Sequence, residues 1–129
     1  MMSSSAADGF SGLMEWSEPI IFDRLRDAYF DRLADYSLAV RLARSHARVW
    51  RALIEGDMGR FENLRAALSD ALEQHGLNLD CLADADAQTM AELVEVVVAR
   101  FRRSPRLAQS YHLALIHLAG QLGPVAMAA

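Results

Sequence analysis

The sequence predicts an all-α domain of about five helices, and three observations predict it. Apolar residues recur at helical spacing through most of the chain. No segment alternates with period two over a useful length, and the one β-branched run, Val96-Val97-Val98, lies inside a helical pattern. Glycine, proline, serine and aspartate fall between the apolar stripes, where helix caps and stops belong.

The elements follow in order. Residues 1–16 are rich in serine, alanine and glycine and read as a flexible N-terminal tail; 17–129 read as a single all-helical domain. Ser17-Glu18-Pro19 has the form of a helix start: a hydroxyl cap, an early carboxylate and a proline in the first turn. Ile21, Leu25, Ala28, Tyr29, Leu33 and Tyr36 then share one face, and Leu42, His46, Val49, Trp50 and Leu53 form a second stripe. One straight helix from Pro19 to Glu55 would run about 55 Å, against about 35–40 Å for a compact domain of this size, so a break is expected near Asp35–Ser37. Gly56-Asp57-Met58-Gly59 is a stop. Phe61, Leu64, Leu68, Ala71 and Leu72 mark a third helix ending at His75-Gly76-Leu77, a Schellman pattern that packs Leu77 back on Leu72. After a loop at residues 78–83, Asp84 or Asp86 caps a helix with Met90, Leu93, Val94, Val97 and Phe101 inward. Ser104-Pro105 opens the last helix, with Ala108, Tyr111, Leu115, Leu118 and Leu122 inward, and Gly123-Pro124 ends it.

Composition narrows the function classes. A chain of 129 residues with 53% apolar side chains can build one self-sufficient core. Its net charge of -4 lacks the basic excess that phosphate neutralisation demands, so no nucleic-acid partner is expected. The single cysteine, Cys81, allows no internal disulfide and suits a cytoplasmic setting. No apolar run reaches bilayer length, and none at the N-terminus resembles a signal peptide, so no membrane association is expected.

Few residue clusters suggest chemistry. His46, His75, His112 and His117 are the histidines; the last two stand five apart, on different faces, where a helical metal pair needs four. Asp80, Asp84, Asp86 and Glu92 lack the glycine that a calcium loop requires and are read as helix-capping acids. Arg100, Arg102, Arg103 and Arg106 could hold an anion, but are read as solvated cations complementing a helix dipole. No nucleophile–histidine context, paired inward carboxylates or glycine-rich phosphate loop is present, so no catalytic residue, no metal site and no enzymatic activity are expected. Tyr29, Trp50, Phe61 and Tyr111 are read as core aromatics. His46, on the Trp50 face, is either a hydrogen-bonded core histidine or the neighbour of a ligand cavity.

Trp50-Arg-Ala-Leu-Ile-Glu-Gly-Asp57, then Phe61, then Gln74-His75-Gly76-Leu77 resembles the central helices of sensor globins, the globin-like domains of bacterial globin-coupled sensors. Leu107 to about Met127 is similar to that family's last helix. The resemblance spreads over roughly residues 29–127 and implies a globin-like sensor fold, with a simple helical bundle as the alternative. In the family an iron-binding histidine stands four positions before the glycine of Gly-Leu; here that position is Leu72, which cannot ligate iron. The resemblance therefore implies a haem-free member, a sensory or regulatory domain that works in signal transduction through self-association and a protein signalling partner. Its ligand pocket would be lined by Tyr29, His46, Trp50, Phe61, Leu68 and Leu72. Two alternatives stand beside it: an adaptor protein with no ligand, and a haem-binding gas or redox sensor using His75 or His46. A shorter stretch, His46 to Asp57, is similar to the effector-binding domains of GntR-type regulators, but no second metal-binding histidine stands near Leu68.

Overall fold

A computed structural model describes residues 2–122, with side chains from Glu15 except at 118, 119, 121 and 122, so the expected inward Leu118 and Leu122 lie outside the described side chains. It holds five α-helices and one short 3₁₀ turn, and no strand among the described residues. The helices are α1 (Met2–Leu33), α2 (Tyr36–Glu55), α3 (Met58–Glu73), α4 (Ala83–Arg100) and α5 (Pro105–Leu122); the turn spans Leu79–Leu82. The expected stop at Gly123-Pro124 lies outside the described residues. No described helix is long and apolar enough to cross a membrane.

The expected boundaries at Asp35, at Gly56-Asp57 and at Gly76 each fall at or beside a cap. Asp35 accepts the Leu38 N–H at 3.1 Å and starts α2. Asp57 does the same for α3 through the Arg60 N–H, and Asn78 for the 3₁₀ turn through the Cys81 N–H. Gly56 and Gly76 sit at φ +77° and +72°, the left-handed conformation that lets a helix end and reverse. At Gly76 the Leu77 N–H reaches back to the Leu72 carbonyl at 2.9 Å, closing the expected Schellman loop. The α1–α2 corner is tighter. It uses only Ala34 and Asp35, and Ala34 takes φ +54°, a conformation in which its Cβ crowds the backbone.

The start of α1 differs from the sequence reading. Ser17 does not cap the helix; it lies inside one that runs from Met2, and residues 2–16 are helical rather than a tail. The reason is burial upstream of Pro19. Ser17, Ile21, Leu25 and Tyr29, each one turn apart, are all fully buried, so Ser17 already lies on the inward stripe. Trp16 packs edge-on to Tyr111 and tilted on Phe101, while Phe101 and Tyr111 stack with centroids 4.8 Å apart. These contacts tie α1 to α5 and the end of α4, and they offset the helix bond that Pro19 cannot donate.

α2 is the central element. It packs against α1, α3 and α5; α4 packs against α1 and α5. Ten of its residues are buried, from Ala39 to Ile54, and four of these are alanines that let neighbouring helices approach closely. At the surface, Arg24 of α1 pairs with Glu92 of α4.

The turns carry a stability prediction. Ala34→Gly relieves left-handed strain, in part offset by the greater freedom of the unfolded chain, and raises stability by about 0.5–1 kcal/mol. Gly76→Ala introduces the same strain and lowers it by about 1 kcal/mol. Urea unfolding measures both, and an Ala34→Gly variant less stable than the parent would show that the corner is not strained.

Candidate functional site

Three helices bring four polar side chains together inside the core. α1 supplies Tyr29, one turn beyond Leu25 on the buried stripe. α2 supplies His46 and Trp50, also one turn apart. α4 supplies Asp86, in its first turn. Tyr29 Oη lies 2.8 Å from His46 Nδ1 in a hydrogen bond. His46 Nε2 lies 3.0 Å from Asp86 Oδ1. The Trp50 indole Nε1–H donates to that same oxygen at 2.9 Å. Tyr29 and Trp50 are fully buried and His46 nearly so, whereas the Asp86 side chain keeps 12% of its surface exposed. One turn further along α4, buried Thr89 donates to the Ala85 carbonyl at 2.7 Å and needs no other partner.

The proton positions follow from the contacts. A carboxylate oxygen 3.0 Å from Nε2 would repel a bare nitrogen lone pair, so Nε2 carries hydrogen. In a neutral ring Nδ1 is then an acceptor, and Tyr29 donates to it. An imidazolium would reverse that bond and leave the buried phenolic hydrogen without an acceptor among the described residues. Burial, and secondarily the negative charge on Asp86, push the Tyr29 pKa well above its ordinary 10.0, so the phenol holds its proton. The resulting chain runs Tyr29 O–H to His46 Nδ1, with His46 Nε2–H facing, and Trp50 Nε1–H bonded to, the Asp86 carboxylate.

The order carboxylate, imidazole, hydroxyl is that of a nucleophile relay. Here the hydroxyl is a fully buried phenol whose proton is held tightly, so a substrate cannot reach it. The phenol therefore serves as a buried hydrogen-bond donor to His46.

The residues expected to line a ligand pocket, Tyr29, His46, Trp50, Phe61, Leu68 and Leu72, all belong to one core cluster or to the polar network within it. Three of the six are joined through Asp86, and Phe61, Leu68 and Leu72 of α3 are buried in the same core. The two histidines proposed for a cofactor are not brought together: His46 is buried, and His75 is exposed beyond the end of α3. Haem does not fit these residues as they stand. Both ring nitrogens of His46 are engaged, His75 faces solvent, and Leu72, at the family's iron-binding position, has no donor atom.

Asp86 is the residue that sequence reasoning placed wrongly. It was expected to cap α4, but Leu82 holds the cap position and Asp86 turns inward; Asp84 remains exposed in the first turn. A signal was present, because Asp86, Thr89, Leu93 and Val97 share one helical stripe, and an acid on an otherwise inward stripe needs a buried partner. The arginine cluster also divides: Arg100 lies in the last turn of α4, whereas Arg106 sits in the first turn of α5, where it does not complement the dipole. His112 and His117 are exposed, and among the described residues no group of three or more His, Cys, Asp or Glu side chains could hold a metal ion.

Set beside known protein families, curated proteins and solved structures, the chain matches none of them.

Two predictions separate the acceptor role of Asp86 from its charge. Asp86→Ala orphans two buried N–H donors and costs about 3–4 kcal/mol, whereas Asp86→Asn keeps an oxygen in place and costs about 1 kcal/mol; equal losses in urea unfolding would refute the assignment. Because the folded-state pKa of Tyr29 is raised, the folded chain retains a proton that the unfolded chain releases above pH 10.0. Stability from this group is therefore complete below that pH and falls as pH climbs toward the folded value. Tyr29→Phe is expected to flatten this alkaline loss in unfolding midpoints measured from neutral to alkaline pH.

Proposed function

We propose that the chain is a regulatory interaction domain, a haem-free helical module that pairs with a second copy of itself and acts on a protein signalling partner. The observation that carries this reading is the outward face of α5. Tyr111 and Leu115 turn inward, while Leu113 and Ile116 point away from the core and are 59% and 50% exposed. From Leu107 to Leu122 the helix contains no Asp, Glu, Lys or Arg. In a two-fold interface each residue meets the same patch of its copy, so fixed charges tend to repel; an uncharged apolar face avoids that repulsion. Large apolar side chains presented together on a stretch free of Asp, Glu, Lys and Arg favour burial against a partner.

The core supports the same reading from the other side. Polar groups that could have faced a ligand are consumed by one another, through Tyr29, His46, Asp86 and Trp50. The likeness of Trp50–Asp57 and Gln74–Leu77 to sensor globins agrees with a regulatory role, and Leu72 then fills space where that family holds its iron ligand.

Sedimentation equilibrium tests the proposal. The parent chain is expected to be a dimer, and Leu113→Glu or Ile116→Glu to yield a monomer with unchanged helix content. A parent that stays monomeric at high concentration would contradict it, as would a sharp, stoichiometric Soret band on haemin addition that disappears in His75→Ala.

A further inference from the structure

On the outer side of the α1–α2 hairpin lies an open trough of about 530 Å³. Its walls differ in charge. α2 presents Arg44, Arg48 and Arg51 along one edge, and α1 presents Glu15 and Glu18 along the other. Half-buried Phe22 and buried Ala47 line it between the edges.

The edges neutralise each other only in part, through Arg51 and Glu18. Arg51 is engaged: it donates to Glu55 at 2.8 Å and lies 3.9 Å from Glu18. Arg44, Arg48 and Glu15 have no ion-pair partner among the described residues. Pro19 adds a further group. It has no N–H to give to the Glu15 carbonyl, so that oxygen is left by the helix ladder at the edge of the trough.

We propose that this trough docks a helix of a partner protein that carries carboxylates along one edge. Arg44 and Arg48 stand one turn apart, about 6 Å along the axis, and two carboxylates one turn apart on an incoming helix have the same spacing. Guanidinium forks favour carboxylates over other acceptors because two N–H groups match two oxygens. An apolar residue between the carboxylates would rest on Phe22 and Ala47, in the manner of a helix laid into a groove. A basic residue on the far edge would meet Glu15. The trough is open, whereas small-molecule sites enclose most of their ligand, which favours a protein segment as the occupant. The chain's net charge of -4 repels an acidic segment overall, so any such binding must come from a local patch. The inference rests on the partner-binding part of the proposed function and is independent of α5.

The test uses a labelled helical peptide with two glutamates one turn apart, a leucine between them and a lysine on the opposite edge. Titrated against the full chain by fluorescence anisotropy at low salt, it is expected to bind about tenfold more tightly than the matched peptide with glutamines. The double substitution Arg44→Gln/Arg48→Gln removes that preference, while Arg60→Gln on α3 leaves it. Leu113→Glu also leaves it, so loss of self-association and failure of the trough are read separately. Circular dichroism checks that the double variant, altered only at exposed positions, is folded. Equal binding of the two peptides, binding of neither, or a preference that survives the double substitution overturns the proposal.

Discussion

A carboxylate held at the edge of a helical core has to be compensated, and in this protein the compensation for Asp86 decides how three helices meet. Desolvating a carboxylate costs several kcal/mol unless donors replace the water it loses. Trp50 donates to one of its oxygens and His46 Nε2 faces the same atom, and both lie on α2. His46 in turn needs a donor for its other nitrogen, which Tyr29 provides from α1. A slip of α4 by one turn would bring Leu82 or Met90 opposite Trp50 and His46 and leave two N–H groups facing carbon. Apolar packing tolerates such a slip far better than this chain of contacts does. The network therefore sets the register of α1, α2 and α4, and the remaining apolar burial is arranged around it.

The same constraint shapes what the protein can offer to other molecules. A histidine, a tyrosine, a tryptophan and an aspartate in one place have the makings of a binding or catalytic site. Satisfied by one another and held within the core cluster, they are spent on structure. Recognition is then left to the surface, where two faces of opposite character stand out. The outward side of α5 exposes Leu107, Leu113 and Ile116 on a stretch that has no Asp, Glu, Lys or Arg after Arg106; the α1–α2 trough is charged on both edges, with Arg44 and Arg48 unpaired among the described residues. A module that joins a copy of itself by one face and a partner by another is a reading that both surfaces support.

Much of the fold is legible in the residues because helix ends are local chemistry. Asp35, Asp57, Gly56, Gly76 and Pro105 act within a turn of themselves, and each does what its type predicts. The beginning of α1 was not legible for the complementary reason. Ser17-Glu18-Pro19 has every local mark of a helix start, and only the distant aromatics Phe101 and Tyr111, packed on Trp16, carry the helix through it. The site was half legible. His46 stood out because an imidazole on an apolar stripe must find partners, but its partners lie 17 residues before it and 40 after it in the chain, beyond the reach of spacing arguments. Asp86 offered a plausible local role as a helix cap, and that role concealed the long-range one.

The proton arrangement on the His46 imidazole, which decides how Asp86 is compensated, is read directly by long-range ¹H–¹⁵N correlation spectra. The expected result is hydrogen on Nε2, an Nδ1 resonance shifted as for an acceptor, and loss of that shift in Tyr29→Phe. An imidazolium pattern, or hydrogen on Nδ1, would contradict it, because Asp86 would then face a different donor set and the register of α4 would need another explanation.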